Sequence, residues 1–201
     1  MEAWALSEKL KHQIKESIQN VEMELTKMKQ SLDDEQECIL CKVEGIQHML
    51  MHIQANAASY YMKTYLSPFT DCYIALTTAM QHLAEKKHGA LIAIERQDAL
   101  DSFIQSGTPL TAQLTAPLLE SIFYPGNPLH DGAVLIKENH IISAANILPL
   151  SQHVTPERKL GTRHRAAIGL SEVCDALVLV VSEETGRTSF ALDGTLYTIS
   201  L

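Results

Sequence analysis

A mixed α/β domain, with a central sheet flanked by helices and an N-terminal α-helical hairpin before it, is the architecture this sequence predicts. Three observations carry that reading. Residues 1–66 hold no proline, no arginine and one glycine, and their apolar residues step by three and four. After Pro68, short apolar runs bounded by Gly, Asn and Asp recur at strand length. Segments of helical period lie between those runs, the pattern of helices returning the chain to a sheet.

In the N-terminal part, Ile14, Ile18, Val21, Leu25, Met28 and Leu32 form one seam, and Ile39, Val43, Ile46, Leu50, Ile53, Ala57 and Tyr60 a second. Both have a 3.5-residue period. The intervening Ser31 to Glu37, rich in capping residues, favours an antiparallel hairpin, although with no Gly or Pro at the break one continuous helix stays open. Two helices make a narrow core, so each seam also has reason to pack on the following domain or on another subunit. Residues 1–66 are therefore read as an oligomerisation or regulatory hairpin. Cys38-x-x-Cys41 with His48 and His52 invites a zinc reading, but positions 38 and 52 of one helix are about 21 Å apart, too far to share an ion.

Residues 67–201 form the second domain. Ser67-Pro68 reads as an N-cap and N1 proline of a helix that presents Phe69, Cys72, Leu76, Met80 and Leu83 and ends near His88-Gly89. Ala90 to Glu95 is a buried strand. Asp98 to Ser106 is expected as a short helix stopped by Gly107, and Thr115 to Tyr124 as another ended by Pro125-Gly126. Ala133 to Lys137 and His140 to Leu148 form a hairpin at Glu138-Asn139, after which Ser151 to Lys159 is a loop. Arg163 to Val173 is a helix, Ala176 to Val181 the most buried strand, and Thr188–Leu192 with Thr195–Ile199 a hairpin at Asp193-Gly194.

Net charge is −8, yet four of the nine Lys and Arg beyond residue 66 (Arg158, Lys159, Arg163, Arg165) fall within eight positions. A basic knot on an acidic chain suits a small anion such as phosphate; a nucleic-acid surface needs cations spread along a backbone. Four cysteines without framework spacing, no leader-like N-terminus and no apolar run near 20 residues point to a reduced, cytoplasmic protein with no membrane partner.

Two motifs carry chemistry. Gly161-Thr162-Arg163-His164-Arg165 reads as a turn into a helix, aiming backbone N–H groups, a hydroxyl and guanidinium forks at one anion; a Thr-capped helix start with exposed arginines is the plainer alternative. His130-Asp131-Gly132-Ala133 puts a carboxylate and a glycine at the mouth of a strand, where a turn is the plainer alternative. Together they supply a carboxylate for a divalent cation and arginines for phosphate, the parts nucleotidyl transfer requires.

The series Gly89 to Glu95, Pro128 to Val134, Leu148 to Ser151, Leu160 to Gly169 and Val181 to Gly186 closely resembles the diadenylate cyclase domain, over roughly residues 67–201. The helical segment before it resembles the soluble, sporulation-associated branch found in Bacillus-type bacteria. The resemblance implies condensation of two ATP into cyclic di-AMP with Mg²⁺ or Mn²⁺. It implies catalytic roles for Asp131, Gly132 and Arg163, phosphate contacts from Thr162, Arg163, His164, Arg165, Ser182 and Glu184, and metal ligation by Asp131, Glu184 and His130. For His130, ordering of the Asp131 loop is an equal reading, for Arg165 bracing of a loop, and for Glu183 a solvent-facing place is as good a reading as a role at the site.

One nucleotide cannot present both reacting ends to itself, so a two-fold dimer of active faces is expected, and a hexamer built by the hairpin would restrain it. Asn146-Ile147-Leu148 stands where membrane-anchored relatives carry an aromatic residue, which leaves an apolar clamp for the base. A catalytically silent nucleotide-binding sensor is the alternative function.

Overall fold

In the computed structural model, residues 7–32, 38–105, 107–152 and 160–201 are described. The chain divides into two compact units, Met1–Tyr61 with Ser200, and Met62–Ile199 with Leu201. In the first, α1 spans Glu8–Gln30 and α2 begins at Ile39. Ser7 caps α1, its hydroxyl accepting from the Leu10 amide. The Lys42 Nζ donates to Ser31 Oγ at 2.6 Å. In one continuous helix those residues would stand about 16 Å apart along the axis, so the two helices form a hairpin. Cys38 and Cys41 are joined as a disulfide, which corrects the expectation of four free thiols: i and i+3 of a helix turn share a face.

α2 ends at Leu66, and its last turn belongs to the second unit, where Met62 and Leu66 are fully buried. The helix expected from Ser67 begins instead at Tyr73, as α3 (Tyr73–Glu85). Pro68 ends α2 in place of starting α3, because the Ser67, Phe69 and Thr70 amides turn back onto the carbonyls of Lys63 and Leu66. Thr70 Oγ1 and the Asp71 amide then donate to Asn139 Oδ1.

A seven-stranded sheet of order β2-β4-β3-β1-β5-β6-β7 forms the centre: β1 Ala90–Ile94, β2 Thr108–Gln113, β3 Ala133–Lys137, β4 His140–Asn146, β5 Leu177–Val181, β6 Thr188–Leu192 and β7 Thr195–Ile199. Among the described residues only β1 and β3 pair in parallel. β1 and β5 are buried along their whole length, as unbroken apolar runs must be when helices cover both faces. α5 (Thr162–Val173) packs over Leu91, Ala93, Leu135, Val178 and Val180. α3 and α4 (Ala116–Ile122) pack together and bury Leu76, Met80, Leu83, Leu119 and Ile122.

Two expectations fail for traceable reasons. The helix expected over Asp98–Ser106 is a single 3₁₀ turn, Leu100–Ser102. Ala99 is extended (φ −68, ψ 128), which breaks the helical path just after Asp98, while the Gln97 and Asp98 amides donate to Asp175 and that of Leu100 to Glu95. Gln105 is then drawn into a bridge with Ile147. β2 carries no apolar run to announce it, since it is an exposed edge strand with Pro109 and a positive-φ Thr111. Residues 153–159, most of the expected loop and with it Arg158 and Lys159, lie outside the described residues.

Asn146 closes the β3–β4 end of the sheet. Its Oδ1 accepts from the Gly107 amide (2.8 Å) and Ser143 Oγ (2.9 Å), and its Nδ2 donates to the Ala133 carbonyl (2.8 Å). Asn146→Leu leaves these groups unpaired at about 1–3 kcal/mol each. The expected outcome is a thermal midpoint lower by at least roughly 6–12 °C in calorimetry, with Ser143→Ala lowering it less.

Candidate active site

The site is assembled by register. β1 runs parallel to β3 with Ile92 opposite Val134, and antiparallel to β5 with Ala90 opposite Val181. Continued past the strand ends, these registers place Asp131, Gly89 and Ser182 in one row. Neighbouring strands are ~4.8 Å apart, so the Asp131 and Ser182 backbones lie about 10 Å apart.

α5 delivers the cation to that row. Arg163 NH1 donates to Glu183 Oε2 at 2.6 Å, and a Cβ on Gly89 would lie 2.6 Å from the same nitrogen. Gly89 is therefore a seat for the guanidinium. Glu183, for which the sequence leaves a solvent-facing place open, is exposed and pairs with Arg163. The carboxylate-plus-arginine pairing across 20 residues leaves no signal in a linear motif.

At the start of α5, Gly161 caps the helix without a side-chain hydrogen bond, and Thr162 is exposed. The first turn of α5 thus has no side-chain cap at Gly161, the condition in which helix N-terminal amides can receive an anion. His164 is half-buried. Burial pushes its pKa below the ordinary 6.5; the Glu184 carboxylate opposes that and Arg163 adds to it. The imidazole is therefore neutral at pH 7 and has one N–H to donate. Ser182 Oγ accepts from the Thr185 amide at 3.3 Å, which leaves its own proton to donate.

Arg165 turns the other way. Its NH2 donates to the Ser151 carbonyl (3.4 Å) and its carbonyl accepts from the Ser151 amide (3.0 Å). Gly169 allows α5 to lie against this segment, since a Cβ there would come within 2.3 Å of the Pro149 carbonyl oxygen. Arg165 thus braces the loop, one of the two readings open from sequence. Ile147, expected as part of an apolar clamp, is 61% exposed, while Leu148 is buried.

On the β3 side Asp131 is exposed. His130 Nδ1 donates to the Asn127 carbonyl, which fixes the ring on the loop and leaves Nε2 with its lone pair. At Gly132, φ is +112 and a Cβ would meet the Ala145 and Asn146 backbone at 2.8 Å, so the packing of β4 by itself demands glycine here. An open cleft of about 1260 Å³ between α3 and α4 borders this edge through His88, Asn127 and Pro128 but is lined by none of the site residues expected from sequence.

Among the described residues no group of three His, Cys, Asp or Glu stands ready to hold a metal. The fit is of another kind. Asp131 and Glu184 are exposed carboxylates, hard oxygen donors of the kind a divalent cation takes when a phosphate supplies further oxygens.

Residues 77–196 match the family model described as the DisA bacterial checkpoint controller nucleotide-binding domain, and residues 1–69 the N-terminal model of diadenylate cyclase CdaS. The chain is 64% identical to a diadenylate cyclase CdaS of Bacillus thuringiensis over all of both chains. It is 52% identical over 167 residues to a cyclic di-AMP synthase CdaS of Bacillus subtilis, covering 83% of this chain and 80% of that one. A Bacillus cereus crystal structure titled as a hypothetical membrane spanning protein shares 65% identity over 100% of this chain and 98% of that one, with a TM-score of 0.81. Among the described residues of the present chain no helix is long and apolar enough to cross a membrane.

The His164 geometry fixes a pH dependence. A folded-state pKa below the unfolded one contributes stability that is present above the unfolded value and lost as pH falls through the folded value. The histidine resonance is expected to titrate below 6.5 by NMR. Wild type should lose stability relative to His164→Gln in melts taken progressively below that point.

Proposed function

This chain belongs to the diadenylate cyclase family, and on that premise we propose that it condenses two ATP into cyclic di-AMP and two pyrophosphates at a face shared by two copies. Each 3′-hydroxyl attacks the α-phosphorus of the other nucleotide; a P–O bond forms, the bond to pyrophosphate breaks, and the hydroxyl proton leaves. Reactions of this type rest on positioning and neutralisation of charge.

What supports this reading is the sheet end, where the β1 registers, continued past the strands, set Asp131 and the Ser182–Glu184 turn on either side of Gly89, and where Arg163 is seated on Gly89. Thr162, the α5 amides, Arg163 and His164 hold the phosphates, and Ser182 donates to them. Arg163 exchanges its Glu183 partner for phosphate oxygens, which costs little because Glu183 is 62% exposed. Asp131 accepts the proton of the attacking hydroxyl. Arg165 acts by holding the 149–151 segment beside the phosphate residues. The reaction of this family depends on a divalent cation; here Asp131, Glu184 and His130 Nε2 would hold Mg²⁺ or Mn²⁺, which would offset charge on the phosphates.

Asp131, Thr162, Glu183 and Glu184 are all exposed, which supports a face that a second copy completes with two-fold symmetry. We assign residues 1–66 to control of that assembly, in a dimer or a hexamer. Exposed Ile18, Met23, Leu25, Leu40, Leu50 and Met51 on the hairpin helices support this role.

Two measurements check the proposal. Purified protein with ATP and Mn²⁺ is expected to yield cyclic di-AMP by mass spectrometry, and Asp131→Asn to reduce the rate by about 10²–10⁴-fold, the usual size of a lost proton acceptor. Removing residues 1–61, which spares the buried Met62 and Leu66, is expected to give a smaller oligomer with higher specific activity. An unchanged oligomer with lower activity would refute the control assigned to the hairpin.

A further inference from the structure

The four cysteines separate into two kinds. Cys174 is buried, its thiol donates to the Leu170 carbonyl, and burial pushes its pKa up. Cys72 is half-buried and free. Cys38 and Cys41 are both exposed, their Cα atoms 5.4 Å apart and their sulfurs bonded, across the entry to α2. That separation lies within the range a disulfide spans without backbone movement.

The two exposed sulfurs are not equivalent. The Cys41 amide donates to Cys38 Sγ at 3.3 Å. Ser7 holds the same place at α1, where its hydroxyl accepts from the amide three residues on. Cys38 therefore occupies a capping position. Its sulfur faces a backbone N–H and the positive end of a helix, surroundings that favour negative charge on sulfur. Cys41 sits within the first turn, three residues away and on the same face, where it can resolve whatever forms on Cys38.

We propose that Cys38–Cys41 is a reversible thiol–disulfide site whose reactant is a low-molecular-weight disulfide, with Cys38 as the attacking sulfur. The Cys38 thiolate attacks one sulfur of the reagent, forming a mixed disulfide and releasing one thiolate. The Cys41 thiolate then attacks Cys38 Sγ, the mixed disulfide breaks and the second thiolate leaves. In sum, two protein thiols and one external disulfide become one protein disulfide and two external thiols, a two-electron oxidation of the protein balanced by reduction of the reagent. Excess thiol drives the reverse. The state of this bond fixes the entry to α2 next to the Lys42–Ser31 bond that joins the hairpin.

The test uses the full chain in a ladder of reduced and oxidised glutathione, quenched with acid, unfolded, alkylated and mapped by mass spectrometry. The peptide holding Cys38 and Cys41 is expected to pass from two alkyl groups to none as the ladder becomes oxidising, and back under dithiothreitol, while Cys72 and Cys174 stay alkylated. Cys41→Ser, which cannot resolve, is expected to trap glutathione on Cys38 roughly tenfold faster than Cys38→Ser traps it on Cys41. Two alkyl groups throughout the ladder, or pairing of Cys38 with Cys38 of another copy, overturns the site. Equal or reversed trapping rates overturn Cys38 as the attacking sulfur.

Discussion

Everything at the candidate site depends on the two ladders of β1. One neighbour, β3, runs with it and the other, β5, runs against it. The start of β1, the start of β3 and the end of β5 therefore coincide at one end of the sheet. A fully antiparallel arrangement would have sent Asp131 to the opposite end from Gly89. Backbone hydrogen bonds between buried apolar strands thus set the separation of groups whose own chemistry is entirely polar, and burial keeps those ladders from being traded for water.

α5 adds the second fixed distance. Its buried face, with Ala166, Ala167 and Leu170, lies on the sheet. Gly169 brings the helix against the Pro149–Ser151 backbone, and Arg165 ties that segment from the side. The position of the α5 N-terminus is then determined by apolar packing behind it, while its Thr162 and Arg163 stay at the surface. Charge follows the same division. A chain of net charge −8 keeps a cationic helix start populated by seating Arg163 on a glycine and pairing it with one exposed carboxylate, a partner weak enough to be displaced by phosphate.

Where strands are apolar and turns carry Asp-Gly or Glu-Asn, the sequence is legible. The β6–β7 hairpin falls on the expected residues, and β3, β4 and β5 differ from expectation by no more than two positions at one end. Legibility fails where distant partners set the backbone path. Asp98 and Asp175 exchange amide–carboxylate bonds and Gln105 bridges Ile147, and no local pattern over 98–106 reports partners 77 and 42 positions away. It fails again for edge strand β2, which buries too little to need apolar residues. At the site, residue types and spacing point to Asp131 and Arg163 as candidates, and Glu184 enters only through the family resemblance. The role of Glu183 as a seat for Arg163, the use of Gly132 by β4, and the commitment of Arg165 to the 149–151 loop are products of tertiary geometry.

The exposure of these groups carries a consequence for how the proposed reaction is controlled. Phosphoryl chemistry gains most from fixed charges when water is excluded, because low dielectric strengthens each interaction. A single copy leaves Asp131, Thr162 and Glu184 in water, where each is worth least. Closure by a second copy would supply the other nucleotide and remove that water in the same event. Catalysis then becomes a steep function of how two faces meet, and an element that alters their meeting need not touch a single catalytic side chain. A helical hairpin with apolar residues left outward is well suited to that task, since small changes in helix packing move whole subunits while the β1 ladders keep each half-site intact.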